Sequence, residues 1–163
     1  MRVAKLCVVA VLNLLCAGVA MGGSNKAGLE FLTQNAKKDG VITLPSGLQY
    51  KVLNSGKGQY HPTVSSTCSC HYHGTFVDGN IFDSSVQRGR PSDFAPNQVI
   101  KGWTEAMQMM VEGDKWELYV PSDLAYGDRG RPPKIGGGDT LIFTIELMEI
   151  KGDKVPKGSK PEL

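Results

Sequence analysis

The 163-residue chain predicts an α+β domain. Its expected core is a twisted antiparallel β-sheet of about five or six strands, wrapped around one short central α-helix, with a second short helix near the N-terminus. Three observations predict this. Segments around 48–52, 68–76, 116–120 and 140–150 alternate apolar and polar residues with the period of a half-buried strand. The segment 101–110 instead places Trp103, Ala106, Met107 and Met110 at i, i+3, i+4 and i+7, the apolar stripe of a helix. Turn-forming residues separate these segments, most clearly Asp78-Gly79.

Each element follows from its local pattern. Residues 25–39 read as a helix, because Leu29, Leu32 and Ala36 recur on one side and Phe31 widens the stripe. Ser24 or Asn25 caps its start and Gly40 ends it. Val41 to Leu44 runs into the turn Pro45-Ser46-Gly47. Leu48, Tyr50 and Val52 then form one face of a strand, and Gly56 to Pro62 reads as a loop. From Cys68 to Phe76 the alternation puts Cys68, Cys70 and Tyr72 on one face, and Ser69, His71 and His73 on the other. Ile81 and Phe82 follow the Asp78-Gly79 turn, and Ser84 to Pro96 reads as loop. The helix Lys101–Met110 ends before Gly113. Trp116, Leu118 and Val120 alternate up to Pro121, which closes that strand. Residues 127–138 hold five glycines and two prolines and read as a long exposed loop. The last strand, 140–150, carries Leu141, Phe143, Ile145 and Leu147 on one face.

The ends of the chain read as targeting signals. Arg2 and Lys5 precede an apolar run from Leu6 to Leu15, and small residues follow at Gly18, Ala20 and Gly22. That is the order of a secretory signal peptide, with cleavage after Ala20 or Gly22, and a retained anchor is the alternative. The final Lys160-Pro161-Glu162-Leu163 resembles a degenerate retention signal of the endoplasmic reticulum, with secretion as the alternative destination. The expected divisions are a leader at 1–22, a helical extension at 23–44, the main domain at 45–151 and a flexible charged tail at 152–163. No membrane association is expected after the leader is removed.

Composition narrows the function. With 40% hydrophobic and 21% charged residues, the chain is neither a disordered segment nor a polytopic membrane protein. Lys and Arg number 18 against 16 Asp and Glu, and two of the cations lie in the leader. The remainder is balanced, so a nucleic-acid-binding surface is not expected. There is no Gly-x-Ser-x-Gly, no phosphate loop and no dinucleotide fingerprint, and no cofactor is expected. Cys68, Cys70, His71 and His73, with His61 nearby, invite a zinc reading. On a strand, however, both cysteines point one way and both histidines the other. The plainer reading has the cysteines as small buried hydrophobes and the histidines as exposed polar residues. A Cys68–Cys70 disulfide would close a very tight ring.

Tyr72, Phe82, Trp103, Tyr126 and Phe143 come from widely separated segments. They either fill a core or line one concave face. Here the sequence resembles a family. Tyr72-His-Gly74, Asp78-Gly79, Phe82-Asp83-Ser84-Ser85, Val99-Ile100-x-Gly102-Trp103, Pro121, Ala125-Tyr126-Gly127 and Leu141-x-Phe143-x-x-Glu146-Leu147 fall in the order and spacing of the FKBP-type peptidyl-prolyl isomerases. The stretch Leu44-Pro45-Ser46-Gly47-Leu48-Gln49-Tyr50 looks like the macrophage infectivity potentiator branch.

The resemblance implies a pocket. Trp103 forms its floor, and Tyr72, Phe82, Val99, Ile100, Tyr126 and Phe143 form its walls. Asp83 sits at the rim, facing Tyr72 and Arg88, and Arg88 and Ile135 are implied rim residues, Ile135 from the overhanging loop. The Ile100 amide and the Tyr126 hydroxyl are implied donors to ligand carbonyls. The implied activity is isomerisation of X-Pro peptide bonds in unfolded or nascent polypeptides, with the macrolides FK506 and rapamycin as ligands. A chaperone or binding module with little catalysis is the alternative. A monomer is expected, with weak dimerisation left open. Four departures from the family pattern make the rim more polar and more basic. Ser92 stands where a pocket aromatic is common, Arg131 and Lys134 replace His and an aliphatic residue, Gly136 to Gly138 replace a proline-containing stretch, and the region from Phe94 to Val99 is shorter.

Overall fold

The computed structural model describes residues 23–158. The leader at 1–22 and the terminal Lys160-Pro161-Glu162-Leu163 lie outside the described residues. The chain runs α1 (Lys26–Asn35), β1 (Val41–Thr43), β2 (Gln49–Asn54), β3 (Tyr60–Pro62), β4 (Cys68–Phe76), β5 (Ile81–Ser84), β6 (Ser92–Phe94), α2 (Lys101–Met107), β7 (Lys115–Val120), β8 (Leu141–Ile150) and β9 (Lys154–Pro156). Seven strands form one antiparallel sheet in the order β1-β2-β7-β8-β4-β5. β6 joins β4 beside Cys68–Cys70, on the edge that β5 borders further along at His73–Thr75.

The expected stripes become the core. On α2, Trp103 is 4% exposed, and Ala106, Met107 and Met110 are fully buried. Against them pack Leu48, Leu118, Val120, Leu141, Phe143, Ile145 and Leu147 from one face of the sheet, with Cys68 and Cys70 beside them. Gly102 lets helix and sheet approach, since a Cβ there would lie 2.6 Å from Val120 Cγ1. α2 is shorter than its periodicity suggests. After Met107 the chain tightens into i+3 hydrogen bonds, Met109 to Ala106 and Met110 to Met107, which still keep Met110 inside.

α1 covers the opposite face. Asn25 caps it by accepting from the Gly28 amide at 2.9 Å. Phe31 meets Tyr119 at 5.9 Å. Gln49 is fully buried and donates to the Leu32 carbonyl at 2.9 Å, while Asn35 donates to Gln49 at 3.0 Å. The helix stops at Asn35 rather than 39, because the residues that follow it are exposed and have no apolar face to bury. β1 then joins the main sheet, so the N-terminal extension packs as part of the same body.

Other segments differ from their sequence reading. Tyr60–Pro62, expected as loop, pairs with Lys154–Pro156, expected within a flexible tail. Ser92–Phe94, also expected as loop, is a strand. Three residues are too few to show a period, and partners distant in sequence stabilise them. His71 and His73 are half-buried rather than exposed, with Nδ1 at 3.0 Å from Ser85 Oγ and Ser84 Oγ respectively. Cys68 and Cys70 are free thiols.

Candidate functional site

Five elements and two loops surround a cavity of about 880 Å³. β4 contributes Tyr72, β5 Phe82 and Asp83, β6 Phe94, α2 Trp103 and β8 Phe143. Val99 and Ile100 lead into α2, and the Ile100 carbonyl accepts from the Trp103 and Thr104 amides. Tyr126 follows β7, and Ile135 hangs from the loop before β8.

The aromatic rings form a continuous wall. Trp103 meets Tyr72, Phe94 and Phe143 edge-on, with centroids 5.3, 5.2 and 5.1 Å away. Phe82 meets Phe143 at 5.4 Å, nearly perpendicular. Such edge-to-face pairs add to the burial of their surfaces and hold each ring in one orientation. Gly74 makes room for this wall, because a Cβ there would lie 2.7 Å from the Phe82 ring.

Asp83 is held on both oxygens. Tyr72 donates its hydroxyl to Oδ2 at 2.6 Å, and Arg88 donates to Oδ1. Arg88 also donates to the Tyr72 oxygen at 2.8 Å and lies over the Tyr72 ring. Burial pushes the Asp83 pKa up, but the hydrogen bonds from Tyr72 and Arg88 outweigh it and leave the carboxyl below its ordinary value. The Tyr72 pKa rises, first through burial and then through its bond to Asp83. Asp83 is therefore a fixed anion and Tyr72 a fixed neutral donor at neutral pH.

The structure brings Tyr72, Phe82, Asp83, Val99, Ile100, Trp103, Tyr126, Ile135 and Phe143 around this cavity. Arg88 is not a lining residue. It braces the Asp83–Tyr72 pair from the side through its bonds to both residues. Sequence reasoning missed Phe94 as a lining residue. Ser92 pairs with Cys70, and Phe94, two residues on, supplies the ring that the Ser92 position lacks. No local pattern marks this three-residue strand; only its pairing with β4 puts Ser92 and Phe94 on one face, so that an aromatic at either position reaches the same side.

The loop at 127–138 is braced rather than loose. Arg131 and Ile135 exchange backbone hydrogen bonds at 2.8 and 3.1 Å, and the Gly138 amide donates to the Gly127 carbonyl at 3.0 Å. Gly130 has φ +64° and lies so close to Ile135 and Gly136 that a Cβ would reach 2.4 Å from the Ile135 carbonyl oxygen. Arg131 donates to the Tyr126 hydroxyl at 3.3 Å, which leaves the phenolic proton free for another acceptor. Lys134 donates to the Phe82 carbonyl at 3.2 Å. Among the described residues, no three His, Cys, Asp or Glu side chains come together as a metal site.

Comparison with known proteins gives the same grouping. Residues 58–148 match the family model described as FKBP-type peptidyl-prolyl cis-trans isomerase, and residues 19–52 match that of the domain amino-terminal to it. The outer membrane protein MIP of Legionella longbeachae is 49% identical over 128 residues, covering 78% of this chain and 54% of that protein. The macrophage infectivity potentiator of Trypanosoma cruzi is 45% identical over 126 residues, covering 77% of this chain and 64% of that one. The crystal structure of FkpA from Escherichia coli superposes with a TM-score of 0.73 at 42% identity, covering 77% of this chain and 58% of that chain. This chain thus spans little more than half the length of several relatives it matches.

Proposed function

The chain belongs to the FKBP-type peptidyl-prolyl cis-trans isomerase family, and from that membership we propose that it accelerates rotation about X-Pro peptide bonds in folding polypeptides. One observation carries the proposal: an open cavity of about 880 Å³ is lined by Trp103 and by aromatic rings from four strands.

Resonance in the peptide bond sets a barrier of about 18–20 kcal/mol, and X-Pro bonds exchange over tens to hundreds of seconds. No covalent bond has to break. The site needs only to hold the twisted amide better than either planar form. A twisted amide loses resonance, and its carbonyl becomes less charge-separated. A water-poor aromatic cavity therefore disfavours it less than it disfavours the planar amide. Trp103, Phe82, Phe94, Tyr72 and Phe143 grip the proline ring and exclude water. The Tyr126 hydroxyl and the Ile100 amide hold the flanking backbone. Asp83 transfers no proton. With both oxygens occupied, it orients Tyr72, and Arg88 fixes the pair.

FK506 and rapamycin are proposed ligands of the same cavity. The leader read over 1–22 puts the substrates among chains folding in the secretory route. A reporter carrying or lacking the last four residues separates retention in the endoplasmic reticulum from secretion.

The test is the cis-to-trans rate of a Leu-Pro peptide with the full chain, with and without FK506. Acceleration abolished by the drug is the expected result. Binding of unfolded protein without acceleration would establish the binding module instead. In a Phe82→Ala variant that keeps its circular dichroism, kcat/KM falls about tenfold or more, equivalent to about 1.4 kcal/mol of transition-state stabilisation. An unchanged kcat/KM removes Phe82 from the site.

A further inference from the structure

We propose that the mouth of the cavity selects X-Pro bonds flanked by an acidic residue, with Arg131 and Lys134 as the selecting groups. This inference rests on the isomerase reading and names the substrate class of that site.

Three cations line the cavity, Lys101, Arg131 and Lys134, and all three are exposed. Asp83 is the one lining carboxylate, and Tyr72 and Arg88 already occupy both its oxygens. Two carboxylates on the flanking segments are also engaged, while Asp128, two residues after Tyr126, is exposed. Asp93 accepts from Lys151 at 2.7 Å, and Asp139 accepts from the Gly136 amide at 2.8 Å and from Asn25 at 3.0 Å. The lining residues therefore present three cations against one carboxylate, which Tyr72 and Arg88 already hold.

Two of these cations are docked on separate lining residues. The Arg131 guanidinium lies 5.7 Å from the Tyr126 ring centroid and donates to its hydroxyl, which leaves further N–H groups for a ligand. Lys134 reaches from the overhanging loop to the Phe82 carbonyl and keeps two ammonium protons. The Arg131–Ile135 backbone bridge ties the stems of both side chains. Lys134 thus stands on a residue that grips the proline and Arg131 on one that holds the flanking backbone. An extended chain advances about 3.3–3.6 Å per residue, so a side chain one or two positions from the proline comes within reach of one of them. A carboxylate there gains an ion pair at a partly desolvated rim, and a lysine meets repulsion.

The experiment uses the full chain and peptides Xaa-Leu-Pro-Phe and Leu-Pro-Phe-Xaa, with Xaa as Glu, Gln or Lys. Both kcat/KM and calorimetric affinity are measured. At low salt, the Glu peptide of at least one series is expected to exceed its Lys counterpart by about three- to tenfold. That ratio shrinks toward one near 1 M salt, where the screening length is about 3 Å. Arg131→Gln with Lys134→Gln brings the Glu peptide down to the Gln peptide, which serves as the internal reference of each variant. Equal values for Glu and Lys in wild type at low salt overturn the proposal, whatever the variants do. No acceleration of any Gln peptide overturns the isomerase reading, and the affinities then still decide the charge preference on their own.

Discussion

The neighbours of Asp83 override its bare chemistry. It looks like a catalytic acid in a cleft, yet both oxygens are committed to Tyr72 and Arg88, and its pKa is lowered. A carboxyl whose folded pKa lies below the unfolded value stabilises the fold above the unfolded pKa. That contribution is lost as pH falls through the folded pKa. Between pH 5 and 8 the rate is therefore expected to show no titration from Asp83. In thermal melts below about pH 4, where an ordinary Asp protonates, the gap between wild type and Asp83→Asn narrows as the shared advantage disappears. A gap that stays constant from pH 5 to pH 2.5 removes the depressed carboxyl from the account.

At the scale of elements, the cavity wall is tied to the N-terminal extension. Ser24 accepts from the Ser122 amide at 3.0 Å, before Tyr126, and receives the Thr140 hydroxyl at 3.2 Å, after the overhanging loop. Next to it, the Asn25 amide donates to the Gly138 carbonyl at 2.8 Å. Two residues thus clamp both segments that frame the wall, and Asn25 also starts α1. Losing an Asn cap costs about 0.5–2 kcal/mol, and leaving a buried amide unpaired costs about 1–3 kcal/mol. Ser24→Ala with Asn25→Ala is expected to lower the melting temperature and to speed amide hydrogen exchange through 122–140 more than through β4. Uniform acceleration across the sheet argues against a local clamp. β3 and β9 are tied likewise from afar: Glu112 accepts from the Ile150 amide and from Lys154, each at 2.8 Å, beside the β3–β9 pair.

For the whole molecule, the thiols of Cys68 and Cys70 report on global opening. Burial pushes Cys68 up to about 11, and burial also raises Cys70, helped by Cys68 and Asp93. Both sit in the core at the β6 end of β4. Protonated and enclosed, they are poor nucleophiles in the native state. Mass-mapped alkylation at pH 8 is expected to leave the Cys68 and Cys70 peptides unlabelled until denaturant unfolds the chain. An acid raised on folding stabilises the fold below its unfolded pKa, so stability falls as pH rises above about 9. Rapid native labelling of either thiol means that this end of the sheet opens locally.

What the residues alone determined was whatever depends on period and turn chemistry. Alternation in 140–150 and the stripe from Trp103 to Met110 located strand and helix, because a face buried along its whole length writes its period into the chain. The resemblance carried by motifs such as Phe82-Asp83, Val99-Ile100 and Tyr126, rather than any period, implied nine of the residues that line the cavity. Only the tertiary structure decided the rest. β3, β6 and β9 are three residues each and hold through distant partners, so no local pattern marks them. Phe94 joined the wall only because β6 pairs with Cys68–Cys70, and Arg88 became a brace because Asp83 and Tyr72 meet across β4 and β5. A period records which way a side chain faces; which group it meets there depends on segments that the chain brings together from far apart.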